Sequence, residues 1–360
     1  MSSELRRRVA NGRRAGGGAG AAEPRRAAAG PPSPWGTRRC RSWRRCWMEA
    51  LGTWGQLSRG PPRPPGPSAW AGTFATWCWP CSSTRSSPSP TPQDAVLLVQ
   101  EAKPECRGRW YLPAGRMEPG EGIVAALQRE VKEESGLECE PLTLLALEER
   151  GPAWIRFAFL ARATGGTLKT LEEADAESLQ ATWWPGDPRA LPLRSLDILP
   201  VLDLAARYRR SPPHPPTLPR ELPCSPLCLR LLLPFANTAG DLWVLLATAG
   251  TPHLPVVACG TSPSELRAGL RPPLLRLLRD CLAWDPQPGA LGLLGLQHRA
   301  GGSGGADGIC FNVLLSIPPG SQRDEPPEPR DPALRWWPVR EEGLRGRILQ
   351  RLRAAVPVRS

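Results

Sequence analysis

The sequence predicts an α/β protein, and three observations carry that expectation. Apolar strand-like runs alternate with a patterned helix over residues 93–208, the same order of runs recurs over 224–360, and residues 1–92 show no sustained period. A length of 360 residues allows two or three domains. The expected division is a low-complexity basic leader at 1–92, a first α/β domain at 93–208, a proline-rich linker at 209–223 and a second, related α/β domain at 224–360.

Each element follows from its pattern. Ala95-Val-Leu-Leu-Val99 is a continuous apolar run of buried-strand length. Ile123 to Ser135 reads as a helix whose Ala126, Leu127 and Val131 would pack on a sheet while charged residues take the other side. Gly136 stands where a left-handed C-cap is wanted, and Leu137 can start a strand. Leu142–Glu149 and Trp154–Leu160 read as further strands, and Ile198–Tyr208 as a closing helix. No strand is legible directly before Asp94.

Within this frame one 23-residue window carries chemistry. Gly115-Arg-Met-Glu-Pro-Gly-Glu121 and then Arg129-Glu130-Val131-Lys132-Glu133-Glu134-Ser135-Gly136-Leu137 spell G-x5-E-x7-R-E-V-x-E-E-x-G-L. Glu130, Glu133 and Glu134 lie at i, i+3 and i+4 and so project from one helical face. Clustered carboxylates repel one another, and a hard divalent cation preferring oxygen ligands, Mg2+ above all, relieves that repulsion. Gly115 permits close approach of the backbone to a ligand, and the rigid fork of Arg129 can brace a carboxylate. A merely solvated acidic helix would need neither the two glycines nor Glu121 and Arg129 at these spacings.

The pattern is the signature of the nudix hydrolases, and the chain resembles that family at all nine defined positions. The similarity extends through Asp94–Lys103, Trp110–Gly115 and Leu179–Pro185 and covers about residues 93–360. It implies a nudix α/β/α sandwich with a mixed sheet, in which the window forms a loop, a helix and a second loop. It implies Mg2+ or Mn2+ held by Glu130, Glu133, Glu134 and the main-chain carbonyl of Ala114, with the metal polarising phosphoryl oxygens and activating a water. Glu130 or Glu134 would take the water proton, and Glu121 and Arg129 would orient the cluster. Glu173 and Glu177 are candidates for a further metal ligand. Val96, Leu97, Gly115 and Trp183 would line the nucleotide site, with Trp183 or Trp184 able to stack on a purine. The longer segments are similar to family members that act on oxidised purine nucleoside diphosphates of the 8-oxo-dGDP type. That implies hydrolysis to monophosphate and phosphate, and a role in nucleotide-pool sanitation. Another diphosphate, such as ADP-ribose or a dinucleotide, and an inactive isoform acting as a binding protein are the alternatives.

The second half repeats the first. Leu144–Arg150 parallels Leu293–Arg299, Phe157–Leu160 parallels Phe311–Leu315, and Trp183-Trp-Pro185 parallels Trp336-Trp-Pro338. Leu266 to Leu282 takes the place of the patterned helix. Setting Arg276 against Arg129 puts Leu277 opposite Glu130, Asp280 opposite Glu133 and Cys281 opposite Glu134. The expectation is a degenerate, nudix-like second domain that binds no metal.

The net charge of +12 sits wholly in the leader: residues 1–91 hold 15 Arg and 3 Glu, whereas the other 269 residues hold 31 basic and 31 acidic side chains. The expected partner is therefore a small-molecule nucleoside diphosphate, with neither a specific nucleic acid nor a membrane. Seven tryptophans scattered among Gly, Ala, Pro, Ser and Arg should leave the leader disordered. Shifting the codons of Thr76 to Ser83 by one base permits an apolar strand, which reads the leader as out-of-frame translation restored near Gln93. Cys78-Trp-Pro-Cys81 lacks a second pair and is a weak metal or redox motif. The 11 cysteines scatter as free thiols of a reducing compartment would. No apolar run reaches spanning length and the start has no secretory core, so the expected location is cytoplasmic.

Overall fold

The computed structural model describes residues 95–118, 120–149, 154–187, 189–224, 227–259, 269–282, 291–300, 308–316 and 324–359, together with the main chain of 71–79. The remainder of the expected leader, and with it Cys81 and the restored frame at Gln93, lies outside the described residues. The first half runs β1 (Ala71–Trp79), β2 (Val96–Glu101), β3 (Trp110–Tyr111), α1 (Ile123–Ser135), β4 (Leu137–Glu149), β5 (Trp154–Gly166), β6 (Ser178–Trp184) and α2 (Leu199–Arg210). The second runs β7 (Arg220–Glu221), β8 (Leu227–Leu232), β9 (Pro234–Ala236), β10 (Leu242–Ala247), β11 (Val256–Ala258), α3 (Arg271–Cys281), β12 (Leu291–Arg299), β13 (Gly308–Leu315), β14 (Leu334–Pro338), α4 (Glu342–Arg353) and β15 (Val356–Arg359). Among the described residues no helix is long and apolar enough to cross a membrane.

α1 has the bounds its sequence predicts because both ends are chemically marked. Gly122 enters in extended conformation, and Gly136 leaves at φ 77° with its N–H donating to the Lys132 carbonyl. A Cβ on Gly136 would also collide with the Thr167 carbonyl, so packing and backbone both demand glycine there. Ile123, Ala126, Leu127 and Val131 are fully buried on the inner side, each leucine-sized side chain contributing about 1.5–3 kcal/mol. β4 and β5 run longer than their apolar cores suggest. Glu138 and Glu140 alternate outwards with buried Leu137 and Cys139, so the early part of β4 is half-exposed strand rather than loop.

One strand lies within the expected leader: β1 pairs in parallel with β5 over nine residues, from Ala71 opposite Trp154 to Trp79 opposite Arg162, and the residues directly before Asp94 lie outside the described ones. The long edge of β5 presents a row of donors and acceptors, and such an edge recruits a partner whose local composition is indifferent.

The main sheet is mixed and has nine strands among the described residues, in the order β1-β5-β4-β15-β12-β13-β8-β11 with β7 also on β12. Two three-stranded antiparallel sheets, β3-β2-β6 and β9-β10-β14, flank it. The halves repeat to the register. Leu147 faces Phe157 across β4 and β5, and Leu296 faces Phe311 across β12 and β13. Trp183 faces Leu97 across β6 and β2, and Trp336 faces Leu245 across β14 and β10. β8 lies parallel on β13 as β1 lies on β5.

The halves also share a core. β15 runs parallel to β4 through Val358 opposite Leu147 and antiparallel to β12 through Val356 opposite Leu293. One apolar cluster contains Leu127, Leu147 and Phe157 of the first half with Leu229, Leu274 and Phe311 of the second. The Glu149 carboxylate accepts the Leu270 N–H at the start of α3. The segment read as a linker is packed too: the Thr217 N–H donates to Thr143 Oγ1 at 3.0 Å, and the His214 ring lies 4.9 Å from that of Tyr208.

Candidate active site

α1 places Glu130 and Glu134 one turn apart on its buried side, 7 % and 5 % exposed. Glu177, on the loop leading into β6, completes a trio in which one carboxylate oxygen from each lies within 4.8 Å of the other two. Among the described residues no other set of three His, Cys, Asp or Glu comes together in this way.

Backbone geometry shapes the trio. The Ala114 N–H donates to Glu134 Oε2 at 2.8 Å. A Cβ on Gly115 would fall inside the Glu130 carboxylate, so only glycine lets the loop pass so close. The approach to that loop is held by a buried polar network. Arg156 donates from Nε to Glu148 Oε2 at 2.7 Å, and from Nη1 to the Tyr111 hydroxyl and to Asp197 Oδ2 at 2.8 Å each. Burial pushes the Tyr111 phenol up to about 12 although Arg156 pulls it down, so the hydroxyl remains a neutral member of the network.

Arg129 gathers the outer carboxylates. Its Nε and Nη2 donate to the two Glu121 oxygens at 2.9 Å each, and its Nη1 reaches Glu130 Oε1 at 3.1 Å and Glu133 Oε2 at 2.9 Å. Nη2 also donates to the Arg116 carbonyl at 3.0 Å, tying the loop to the helix. Hydrogen bonding from Arg129 holds the Glu121 carboxyl below its usual range.

A second clamp sets Glu177. Asp175 Oδ1 accepts from the N–H groups of Glu177 and Ser178 at 2.9 Å each. Lys169 pairs with the other Asp175 oxygen and donates to the Glu133 carbonyl at 3.1 Å and to Ser178 Oγ at 2.8 Å. The Glu177 loop is thereby fastened to the end of α1.

The trio carries electrostatic stress. Burial pushes Glu134 up to about 8, against the pull of the Ala114 N–H, and the nearby Glu130 and Glu101 charges add to the rise. Glu130 is raised by burial as well, with Arg129 opposing. Two carboxylates crowded out of water, with the exposed Glu177 beside them, are a donor set suited to a hard divalent cation. The residues present therefore fit such an ion.

The structure sorts the expected residues. Glu130, Glu134, Gly115 and Ala114 converge, with Glu121 and Arg129 behind them. Glu133 points away from the trio: its side chain is 52 % exposed and paired with Arg129. Glu177 joins the cluster, whereas Glu173 caps its own turn by accepting the Thr170 N–H at 2.9 Å. Val96 and Leu97 are core residues, 3 % and 0 % exposed, on opposite faces of β2. Trp184 is buried with its Nε1 donating to the Asp187 carbonyl at 2.9 Å, whereas Trp183 is only half-buried beside Leu97. In the second half Asp280 is exposed, far from forming a counterpart.

Sequence reasoning assigned no role to Glu101, which ends β2 at 6 % exposure, adds to the charge around Glu134 and accepts from Arg194 Nη1 at 2.6 Å. Its signal was available: a carboxylate directly continuing a buried apolar strand is rare without a partner.

Comparison with known proteins agrees with this arrangement. A family model described as NUDIX domain matches residues 90–192. The chain is 57 % identical over 272 residues to the 8-oxo-dGDP phosphatase NUDT18 of Homo sapiens, covering 74 % of this chain and 83 % of that one. It is 54 % identical over 264 residues to the protein of that name from Mus musculus, with coverages of 72 % and 80 %. It is 44 % identical over 273 residues to the one from Danio rerio, with coverages of 72 % and 82 %.

Proposed function

The chain belongs to the NUDIX family, and from that premise we propose that it hydrolyses oxidised purine nucleoside diphosphates of the 8-oxo-dGDP type. The observation that carries the reaction class is the trio of two buried carboxylates, Glu130 and Glu134, with the exposed Glu177. The substrate class is supported by the similarity to proteins named 8-oxo-dGDP phosphatase.

Glu130, Glu134 and Glu177, with the carbonyl of Ala114, would hold Mg2+ or Mn2+. When bound, such an ion supplies Lewis acidity to phosphoryl oxygens and a bound water of lowered pKa. Everything else falls to the chain's own groups. Arg129 fixes Glu130 through Oε1 and the Ala114 N–H fixes Glu134 through Oε2, so both carboxylates are oriented rather than free to swing. Either can accept the proton that the attacking water loses. Attack at phosphorus breaks the anhydride bond and gives the monophosphate and phosphate. Trp183, half-buried beside Leu97, would offer a ring face to the purine. A monophosphate product is no longer one step from a polymerase substrate, which suits nucleotide-pool sanitation. The thiols of Cys106 and Cys228, which form no disulfide, suit a cytoplasmic location.

The test is formation of the nucleoside monophosphate, resolved by chromatography, from 8-oxo-dGDP, 8-oxo-dGTP and ADP-ribose at equal concentration with Mg2+. The expected order puts 8-oxo-dGDP first. Preferential cleavage of ADP-ribose would transfer the assignment to a different diphosphate.

A further inference from the structure

In the first half, the space between the sheet and the closing helix α2 is filled. Leu145, Ala146, Ala158, Val201, Ala205 and Tyr208 belong to one apolar cluster. The corresponding space in the second half, between β12, β13 and α4, is an open cavity of about 320 Å³, walled on a further side by residues 215–218 and Arg220. Register makes the comparison residue by residue. Ala146 faces Ala158 across β4 and β5, and the matching pair across β12 and β13 is Gly295 and Asn312. A small residue and a polar one stand where two alanines close the core.

The walls carry a definite chemistry. Arg220, Arg347 and Arg351 line the cavity with the amides of Gln297, Asn312 and Gln350, and none of the lining residues is acidic. Arg230 sits just behind, donating to Asn312 Oδ1 at 3.2 Å. Burial lowers the pKa of Arg351 with no carboxylate offsetting it. Leu294, Pro215 and Pro216 supply apolar surface between the polar groups. The cavity lies on the far side of the sheet from α3: Leu293, Phe311 and Val313 pack with α3, whereas Leu294 and Asn312 turn the other way. It is therefore not the second-half counterpart of the carboxylate site, and it shares no residue with that site.

We propose that this cavity binds a phosphate monoester of nucleoside-monophosphate size. Arginines from a strand and a helix line the one cavity, and guanidinium groups suit a phosphate, which accepts paired hydrogen bonds. The amides and the apolar wall suit a ring with exocyclic polar groups, and the volume lies at the lower end of small-molecule sites.

The test uses the full chain carrying Glu130→Gln, so that the carboxylate site is silenced, and calorimetric titration with dGMP, deoxyguanosine and inorganic phosphate. The expected result is one saturable dGMP site at least tenfold tighter than either control. Arg351→Met and Arg220→Met should each weaken dGMP about tenfold or more, the effect of losing one charge-assisted hydrogen bond, and Arg351→Lys should recover part of the loss. Arg220 and Gln350 are exposed, so Arg220→Met and Gln350→Leu keep the test available if Arg351→Met does not fold. Absence of saturable binding, equal affinity for inorganic phosphate, or dGMP binding unchanged in the arginine variants overturns the proposal.

Discussion

Gly115 and Glu130 occupy each other's space: the Glu130 carboxylate lies where a side chain on Gly115 would begin. The smallest possible substitution is thus a catalytic perturbation. Gly115→Ala should push the carboxylate out of the trio and lower kcat on 8-oxo-dGDP by about a hundredfold, the cost of misplacing a reacting group by an ångström. The displaced group is the end of a flexible side chain, so the thermal midpoint should fall little. Parallel assays of turnover and thermal unfolding check both halves of this expectation.

Arg129 serves five acceptor oxygens that no ammonium can serve at once. Arg129→Lys should raise the Mg2+ concentration needed for half-maximal activity by about 10–100-fold, as loss of an orienting partner does. Glu133→Gln should do far less, because its half-exposed i,i+4 pair with Arg129 is worth about 0.3–0.5 kcal/mol. Mg2+ titrations of Glu133→Gln and Glu134→Gln decide the matter. Equal damage from the two would return Glu133 to the metal.

Glu134 should make the metal-free protein sensitive to alkali. Its folded pKa is raised to about 8 by burial, above the ordinary carboxyl value near 4.3, so between these values the folded state holds a proton that the unfolded state has lost. Stability then falls as pH rises through that window, with a slope of up to about 1.4 kcal/mol per pH unit. In EDTA the unfolding midpoint should drop from pH 5.5 to pH 8. Mg2+ should restore more at the upper end, because ligation requires the deprotonated form. Glu134→Gln should flatten the profile.

Lys169 is buried and fastens the Glu177 loop to α1 through Asp175 and the Glu133 carbonyl. Lys169→Met keeps the stem and removes the clamp. Mg2+ affinity should weaken about tenfold or more with little change in the KM for 8-oxo-dGDP at saturating metal. A rise in KM alone would place Lys169 at the nucleotide instead.

A chain ending at residue 223 should fail as a soluble protein. It loses β15 from the edge of β4 and the second-half share of the common cluster, including Leu229, Leu274 and Phe311. Circular dichroism and size-exclusion of the truncated chain check this; a monomeric, cooperatively folded product would show that the first half stands alone.

Much of the site was legible because its rules are local. Helix α1, its glycine exit and the Arg129–Glu121 pairing all lie within the 23 residues from Gly115 to Leu137. The choice of Glu177 over Glu173 was not legible, since it rests on Lys169 and Asp175 folding a loop back onto the helix. Nor was the outward turn of Glu133, because i, i+3 and i+4 share a face without sharing a depth. The repeat could be read from Trp183-Trp-Pro185 and Trp336-Trp-Pro338, whereas β1 and β15 could not. Both strands are short on pattern and are selected by the edges they meet.

The seat of β15 has a consequence for biosynthesis. Its four residues, Val356–Arg359, are what stitch β4 to β12, and they leave the ribosome long after β4 itself. Throughout elongation the nascent first half must keep an unpaired edge beside Leu147, of the kind that invites association with neighbouring chains. The order of synthesis thus runs against the order of need: β4 is a zip fastener waiting for its slider, and the growing chain depends on whatever shields that edge until β15 has emerged.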